Sequence, residues 1–101
     1  MSARSRGHEL PLREVLTIIG NGKPRMGREI IDDIATRLTH ARTKHPASQW
    51  AGQGDDYALE TIEDEVREVR VAMKLETPER VYSELLDSVA TIVRTMNNEQ
   101  R

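Results

Sequence analysis

Apolar residues recur every three or four positions in four stretches of the chain, which is the period that aligns side chains on one face of an α-helix. This pattern predicts helices at about 10–19, 27–44, 55–76 and 78–97. No stretch alternates apolar and polar residues as a half-buried strand does, and the chain has no internal repeat. The sequence therefore predicts an all-α fold.

Glycine, proline and capping residues mark the ends of these predicted helices. The first helix stops at the Gly-Asn-Gly stretch at 20–22, and Pro46 marks the end of the second. A loop that contains Trp50 follows. Thr77 suits an N-cap and Pro78 the first helical position, which together predict the start of the fourth helix. Because the turn before it is very short, we expect the third and fourth helices to pack antiparallel.

The composition indicates one small domain with a thin core. The chain has 101 residues, of which 37% are hydrophobic and 32% charged, with one Trp, two Tyr and no Phe. A chain of this length buries a modest apolar area, and few large aromatic side chains are present to fill its core. We therefore expect a helical bundle that completes its core by forming a homo-oligomer. The alternative is a marginally stable monomer.

Charge and residue content argue against several classes of protein. The formal net charge of −2 does not indicate a nucleic-acid binder, and the lack of Cys excludes disulfides, thiolate zinc sites and thiol nucleophiles. No apolar run approaches the roughly 20 residues of a membrane span. The first residues are basic but lack the apolar region of a secretory signal. We expect a cytoplasmic protein that does not contact a membrane.

Two acidic pairs at i,i+3 spacing are the main chemical signal. Glu65 and Glu68 lie on the third predicted helix, and Glu84 and Asp87 lie on the fourth. If the helices are antiparallel, both pairs lie roughly 10 to 17 Å from the connecting turn, at about 1.5 Å per residue. On a helical wheel each pair borders the apolar stripe of its helix, where a bundle can form a half-buried groove. The four carboxylates are therefore expected to share one level.

Carboxylates gathered at one level raise one another's pKa values unless a cation lies between them. Mg²⁺ accepts ligand sets made only of oxygen and keeps positions free for phosphate oxygens. One interpretation is therefore a Mg²⁺ site for a phosphate-containing substrate. The other is a solvated acidic face, because acidic residues are abundant on these helices. The spacing alone leaves both interpretations open.

The residues around these acids resemble a known family. Residues 58–69, ALETIEDEVREV, and residues 82–89, YSELLDSV, are similar to the ExxE…ExxD signature of the MazG-like nucleotide pyrophosphohydrolases. That family belongs to the all-α NTP pyrophosphatase superfamily. The residues that match the four acidic positions of the signature are, in chain order, Glu65, Glu68, Glu84 and Asp87.

The resemblance implies a homo-oligomeric helical bundle that hydrolyses a nucleoside triphosphate to the monophosphate and pyrophosphate. The four acids would hold Mg²⁺, or alternatively Mn²⁺, on the phosphate chain, and Glu68 or Glu65 would act as the catalytic base. The resemblance covers about residues 27–97. It divides the chain into a basic N-terminal segment with a short helix, 1–26, and a MazG-like all-α domain, 27–101.

Four further residues are candidates for substrate binding. Some family members carry an Asn about two turns after the final acid; here Arg94 stands there and either contacts phosphate or pairs with Asp87. Trp50 either stacks on a nucleotide base or seals the end of a small core. Lys44 and His45 either face the phosphates or interact with the dipole of the helix that they end.

A non-catalytic function is the alternative. Six basic residues precede the acidic part of the chain, namely Arg4, Arg6, Arg13, Lys23, Arg25 and Arg28. An oligomeric helical module could use such a segment to bind nucleic acid or a protein partner, with the acids as a solvated face. Stabilisation by Mg²⁺ favours the enzyme, whereas salt-sensitive retention on DNA favours the binding module.

Overall fold

The computed structural model describes residues 11–19, 27–75 and 77–101, most of which lie in α-helices. Five helices follow one another along these ranges: α1 (Leu12–Ile19), α2 (Gly27–Lys44), α3 (Ala47–Trp50), α4 (Asp55–Leu75) and α5 (Pro78–Met96). The described ranges contain no strand, which confirms the predicted all-α class. In the same ranges, no helix combines the length and the apolar character that crossing a membrane requires.

Helices α2, α4 and α5 begin at the residues that the hydrophobic pattern predicted and end at the predicted position or next to it. Helix α3 differs from the prediction, because the sequence indicated a loop there. A single helical turn is too short to show a hydrophobic period. Pro46, directly before it, is compatible with a loop and with the start of a helix. The predicted stop signal at 20–22 lies outside the described residues.

The short turn before α5 has the predicted cap. The Thr77 hydroxyl accepts a hydrogen bond from the backbone N–H of Arg80 at 3.3 Å, and Pro78 occupies the first turn of the helix. The hydroxyl satisfies one of the N–H groups that a helix start leaves without an internal partner, and Pro78 has no N–H to satisfy. The predicted start of this helix is confirmed.

The chain turns back on itself after α5. Asn98 adopts a left-handed conformation with φ 64°, which is typical of residues that follow a helix. The last residues then run alongside the loop before α4, where the backbone N–H of Gly54 donates to the carbonyl of Gln100 at 3.0 Å and that of Gly52 to Arg101 at 2.9 Å. This reversal places Glu99 beside the side chains at the end of α5.

Helix α5 is the central element of the described chain. It packs most extensively on α4 and also contacts α2 and α1. Contacts between α4 and α5 run in opposite sequence order: Ala72 and Val81 share a buried cluster near the turn, whereas Gly54 and Gln100 meet at the far end. Residues halfway along each helix therefore lie opposite one another.

The core is thin, as the composition indicated. Among the described residues, most buried apolar side chains are small, and Val81 is the largest that is fully buried. Meanwhile Leu59 and Val66 on α4 are 53% and 44% exposed, and Ile92 and Met96 on α5 are 38% and 80% exposed. A single copy of the chain therefore leaves part of the apolar surface of α4 and α5 in contact with water.

Candidate functional site

Three carboxylates meet between the middle of α4 and the first half of α5. One oxygen from each of Glu65, Glu84 and Asp87 lies within 4.8 Å of the other two. Glu84 is 5% exposed, and the other two side chains are half-buried. The antiparallel course of the helices brings them to one level, and the i,i+3 spacing on α5 turns Glu84 and Asp87 to one side of that helix.

Glu68, the fourth predicted ligand, does not join this group. Its side chain is exposed, one turn further along α4 than Glu65. It is still near enough for its charge to raise the pKa of Glu65. The two residues lie about 60° apart around the helix, because each residue advances the helix by about 100°. Glu65 therefore faces α5, whereas Glu68 faces water.

The electrostatics of the cluster are concentrated at Glu65. Burial raises the pKa of this carboxyl above its ordinary value, and the charges of Asp87, Glu84, Glu68 and Asp64 raise it further. Both causes disfavour the carboxylate form. A proton on Glu65 or a cation among the three groups relieves the repulsion.

Two arginines partner the other two carboxylates. Arg37 on α2 donates through Nη1 to Asp87 Oδ1 at 2.7 Å and to the Ser83 carbonyl at 2.8 Å. Arg80 lies with Nη2 2.9 Å from Glu84 Oε2. Sequence reasoning did not identify Arg37, because a contact across 50 residues leaves no local pattern. The i,i+4 spacing of Arg80 and Glu84 is visible in the sequence, but this spacing is common in solvated pairs.

A groove of about 680 Å³ opens beside the carboxylates, between α2, α3, α4 and α5. A volume of several hundred Å³ is usual for small-molecule sites. All four residues predicted to bind substrate line it, namely Lys44, His45, Trp50 and Arg94. Its lining also includes two members of the acidic cluster and two further arginines, namely Glu65, Asp87, Arg37 and Arg80. The groove thus joins an acidic spot to a wall rich in cations.

Trp50 seals the core at one end of this groove. It is 3% exposed, and the ring of Tyr57 meets it edge-on with centroids 5.5 Å apart. The guanidinium carbon of Arg94 lies 4.6 Å from the centroid of the Trp50 ring. Since a guanidinium occupies this ring and little of it reaches the surface, the structure favours the sealing role over base stacking.

Arg94 pairs with the C-terminal segment and not with Asp87. Its Nε donates to Glu99 Oε1 at 2.7 Å, and its side chain is 3% exposed. Its Nη2 is buried and has no hydrogen-bond partner among the described residues, although Arg94 lines the groove. A buried donor without a partner costs about 1–3 kcal/mol, so a water or a polar ligand atom in the groove is the expected acceptor.

Glu99 is held ionised by its surroundings. Burial alone would raise its pKa, but hydrogen bonds from Arg42, Arg94 and Asn97 lower the pKa to about 2. Both Arg42 and Arg94 bind this one carboxylate, which is 7% exposed. The segment after α5 therefore supplies the counter-ion of a buried arginine and also fastens α2 to the end of α5.

The donor set of the cluster fits a hard divalent cation. Its ligands are carboxylate oxygens, which Mg²⁺, Mn²⁺ and Ca²⁺ prefer. Around one octahedral Mg²⁺, neighbouring oxygens are about 3.0 Å apart and opposite oxygens about 4.2 Å apart, from a bond length of about 2.1 Å. The three oxygens of the cluster lie within 4.8 Å of one another, so their side chains would move closer together to contact one ion.

Comparison of the chain with protein-family models, with curated proteins and with solved structures found no match. The resemblance to the MazG-like enzymes therefore depends on the motif residues alone. Those residues include the three carboxylates that meet in the structure.

Proposed function

We propose that this protein is a cytoplasmic, Mg²⁺-dependent nucleoside triphosphate pyrophosphohydrolase, for which Mn²⁺ is an alternative cofactor. One observation carries the proposal: three carboxylates converge at the edge of a groove whose wall is rich in cations. A carboxylate cluster suits a divalent cation, and guanidinium and ammonium groups suit a phosphate chain. Side chains suited to a metal ion and side chains suited to phosphate therefore lie next to each other, as hydrolysis of a metal-bound triphosphate requires.

Glu65, Glu84 and Asp87 are the proposed metal ligands. When bound, the cation supplies neutralisation of the phosphate charge and a lower pKa for the attacking water. Three ligands from the protein leave coordination positions for phosphate and water, since Mg²⁺ favours six oxygens in all. Glu68 is left as an exposed neighbour that adds negative charge to the site.

Glu65 is the proposed base. Of the two candidates on α4, Glu65 lines the groove and meets the other two carboxylates, whereas Glu68 is exposed and outside the cluster. Glu65 is therefore the candidate within reach of a water that binds in the groove. In the reaction, water oxygen bonds to the α-phosphorus, the bond from that phosphorus to the bridging oxygen of the β-phosphate breaks, and Glu65 takes the proton of the water. The products are the monophosphate and pyrophosphate.

The cationic side of the groove holds the substrate in this proposal. Lys44 and His45 lie at the end of α2, line the groove and are exposed, so phosphate oxygens in the groove can reach them. The His45 Nδ1 lies 3.1 Å from Gln49 Oε1, which orients the ring. The buried Nη2 of Arg94 has no hydrogen-bond partner in the described part of the chain and is suited to a carbonyl or phosphate oxygen that enters the groove.

We further propose that the protein acts as a homo-oligomer. The support is the exposed apolar surface of α4 and α5, represented by Leu59 at 53% and Met96 at 80% exposure. Burial of apolar area favours association, and the gain in affinity is what exceeds the entropy lost when two copies join. A second copy that covers this surface would complete the thin core without covering the groove residues on α2.

Pyrophosphate release tests the function. The assay uses a panel of canonical and modified NTPs and dNTPs with Mg²⁺, with Mn²⁺ and with EDTA. We expect release that depends on metal and falls by 100-fold or more, roughly the effect of removing a catalytic base, in Glu65→Gln. The matched control is Glu63→Gln, which removes an exposed acid from the same helix. A folded protein that releases no pyrophosphate from any substrate would favour the non-catalytic binding module.

A further inference from the structure

Two arginines hold the carboxylates of the candidate metal site. Arg37 Nη1 contacts both Asp87 Oδ1 and the Ser83 carbonyl, and Arg80 contacts Glu84. Both arginines also line the groove. A cation that binds Asp87 and Glu84 therefore competes with two guanidinium groups for the same negative charges.

The net charge of the three carboxylates and two guanidinium groups changes sign when a divalent cation binds. Counting only these five described side chains, three carboxylates face two guanidinium groups without a cation, which leaves one net negative charge. One divalent cation changes this to one net positive charge. A partly desolvated guanidinium whose partner has been neutralised gains free energy by pairing with another anion. Arg37 lines the groove, so an anion that binds in the groove is within reach of its guanidinium.

Arg37 is better placed than Arg80 to change its partner. It belongs to α2, which has no buried residue. Polar contacts join this helix to α5 and to the segment after α5, among them the Tyr82 hydroxyl on Asp33 Oδ2 at 2.6 Å and the pair between Arg42 and Glu99. Polar contacts tolerate small shifts better than a close-packed core does. Arg80, by contrast, is 54% exposed and keeps much of its hydration wherever it points.

We propose that Arg37 exchanges partners on ligand binding: it pairs with Asp87 while the carboxylates hold no cation, and with an oxygen of the phosphate chain once they do. Arg37 is thus a substrate-binding residue that makes cation and phosphate binding mutually favourable. This inference rests on the proposed function. The planar guanidinium with several parallel donors matches phosphate oxygens, whereas an ammonium acts as a single point charge.

The exchange predicts opposite effects of removing Arg37. Binding of a cation alone becomes tighter, because a competing charge leaves Asp87. Binding of a phosphate chain in the presence of the cation becomes weaker, because the released guanidinium is missing. The two effects belong to one coupling free energy, which is reciprocal between the two ligands. A purely structural role for Arg37 predicts that both affinities fall together.

The experiment measures two affinities in wild type, Arg37→Gln and the control Arg28→Gln. Arg28 is exposed at the start of the same helix, so its loss matches the change in charge. Mn²⁺ alone is titrated by the paramagnetic signal of the free ion. Inorganic pyrophosphate is titrated by calorimetry with excess Mn²⁺ and again in EDTA. Complexation of pyrophosphate by Mn²⁺ in solution cancels in the comparison between proteins.

In Arg37→Gln we expect the Kd for Mn²⁺ to fall by roughly threefold or more, and the Kd for pyrophosphate with Mn²⁺ to rise by roughly tenfold or more. The control stays within about twofold for both, since surface charges are screened. Arg37→Lys keeps the charge and gives an intermediate loss of pyrophosphate affinity, which serves as the test if the Gln variant does not fold.

Three results would overturn the inference, and they are distinguishable. If Arg37→Gln weakens both affinities, its role is structural. If wild type binds Mn²⁺ and releases pyrophosphate from a nucleotide while Arg37→Gln leaves both affinities unchanged, the partner exchange alone is refuted. If wild type does not bind Mn²⁺, the proposed function fails and the inference fails with it.

Discussion

The contact between Glu99 and Arg94 yields the sharpest prediction about stability. Replacing Glu99 with Gln removes the negative charge that two arginines share, while it keeps the size of the side chain and one hydrogen-bond acceptor. Arg94 is 2% exposed, so its guanidinium would remain buried without a counter-ion. Breaking a buried pair from one side costs about 3–5 kcal/mol.

The pKa of Glu99 gives a separate value for the same cost. Its surroundings lower it to about 2 from an ordinary value of 4.5. At about 1.36 kcal/mol per unit, this difference corresponds to about 3 kcal/mol of stability. Because the pKa is lowered by folding, the contribution is complete above about pH 4.5 and is lost as the pH falls towards 2. At pH 3 about 1.4 kcal/mol should remain.

The assay is equilibrium unfolding in urea at pH 7 and at pH 3, at one protein concentration, followed by far-UV circular dichroism. We expect Glu99→Gln to lower the free energy of unfolding by about 3 kcal/mol at pH 7 and by about half of that at pH 3. The control is Glu60→Gln, which removes an exposed acid from α4 and should change stability by less than about 0.5 kcal/mol. An equal loss at both pH values, or a loss no larger than that of the control, would refute this account of Glu99.

Two further predictions concern the core and the apolar surface. Val81→Ala should lower the free energy of unfolding by about 2 kcal/mol because Val81 is 1% exposed. Ile31→Ala, at 65% exposure, should lower it by less than about 0.5 kcal/mol. Urea unfolding measures both losses, and equal losses would contradict the described core. Leu59→Glu should shift the protein towards the monomer in sedimentation equilibrium if α4 and α5 form the oligomer contact, whereas Glu60→Gln should not. A wild type that sediments as a monomer, or a Leu59→Glu variant that associates as wild type does, would contradict the proposed oligomer.

The extent of the helices followed from the sequence because local signals fix them. Hydrophobic period sets the length of α2, α4 and α5, and a cap such as Thr77 sets a boundary within one residue. The same signals failed at α3. A helix of four residues presents only about one turn, which has no period to detect.

The candidate site was predictable in part. Distance from a short turn places residues at the right level along antiparallel helices, which is why Glu65 meets Glu84 and Asp87. Rotation about the helix axis is less certain, because about 60° separates Glu65 from Glu68, and that angle decides which of them faces α5. The position of each acidic residue along its helix was therefore easier to derive than its orientation around the helix axis.

Partners that are distant in sequence could not be derived. Arg37 reaches Asp87 because α2 packs on α5, and a pair of charges 50 residues apart leaves no periodic signal in the sequence. Arg94 and Glu99 are only five residues apart, but they pair because the chain reverses at Asn98. An Asn after a helix suits such a reversal, yet it does not show which side chains the reversed segment meets. In both cases the sequence supplies the charges but not their neighbours.

Binding of Mg²⁺ to the carboxylate cluster decides whether Glu65, Glu84 and Asp87 form a metal site. Isothermal titration calorimetry compares wild type with Asp87→Asn and Glu84→Gln, and with Glu68→Gln and Glu63→Gln as exposed acids on α4. We expect saturable binding in wild type, loss of binding in the two cluster variants, and no more than about a threefold change in affinity in the two exposed variants. Wild type without saturable binding, or cluster variants that bind as wild type does, would contradict the account.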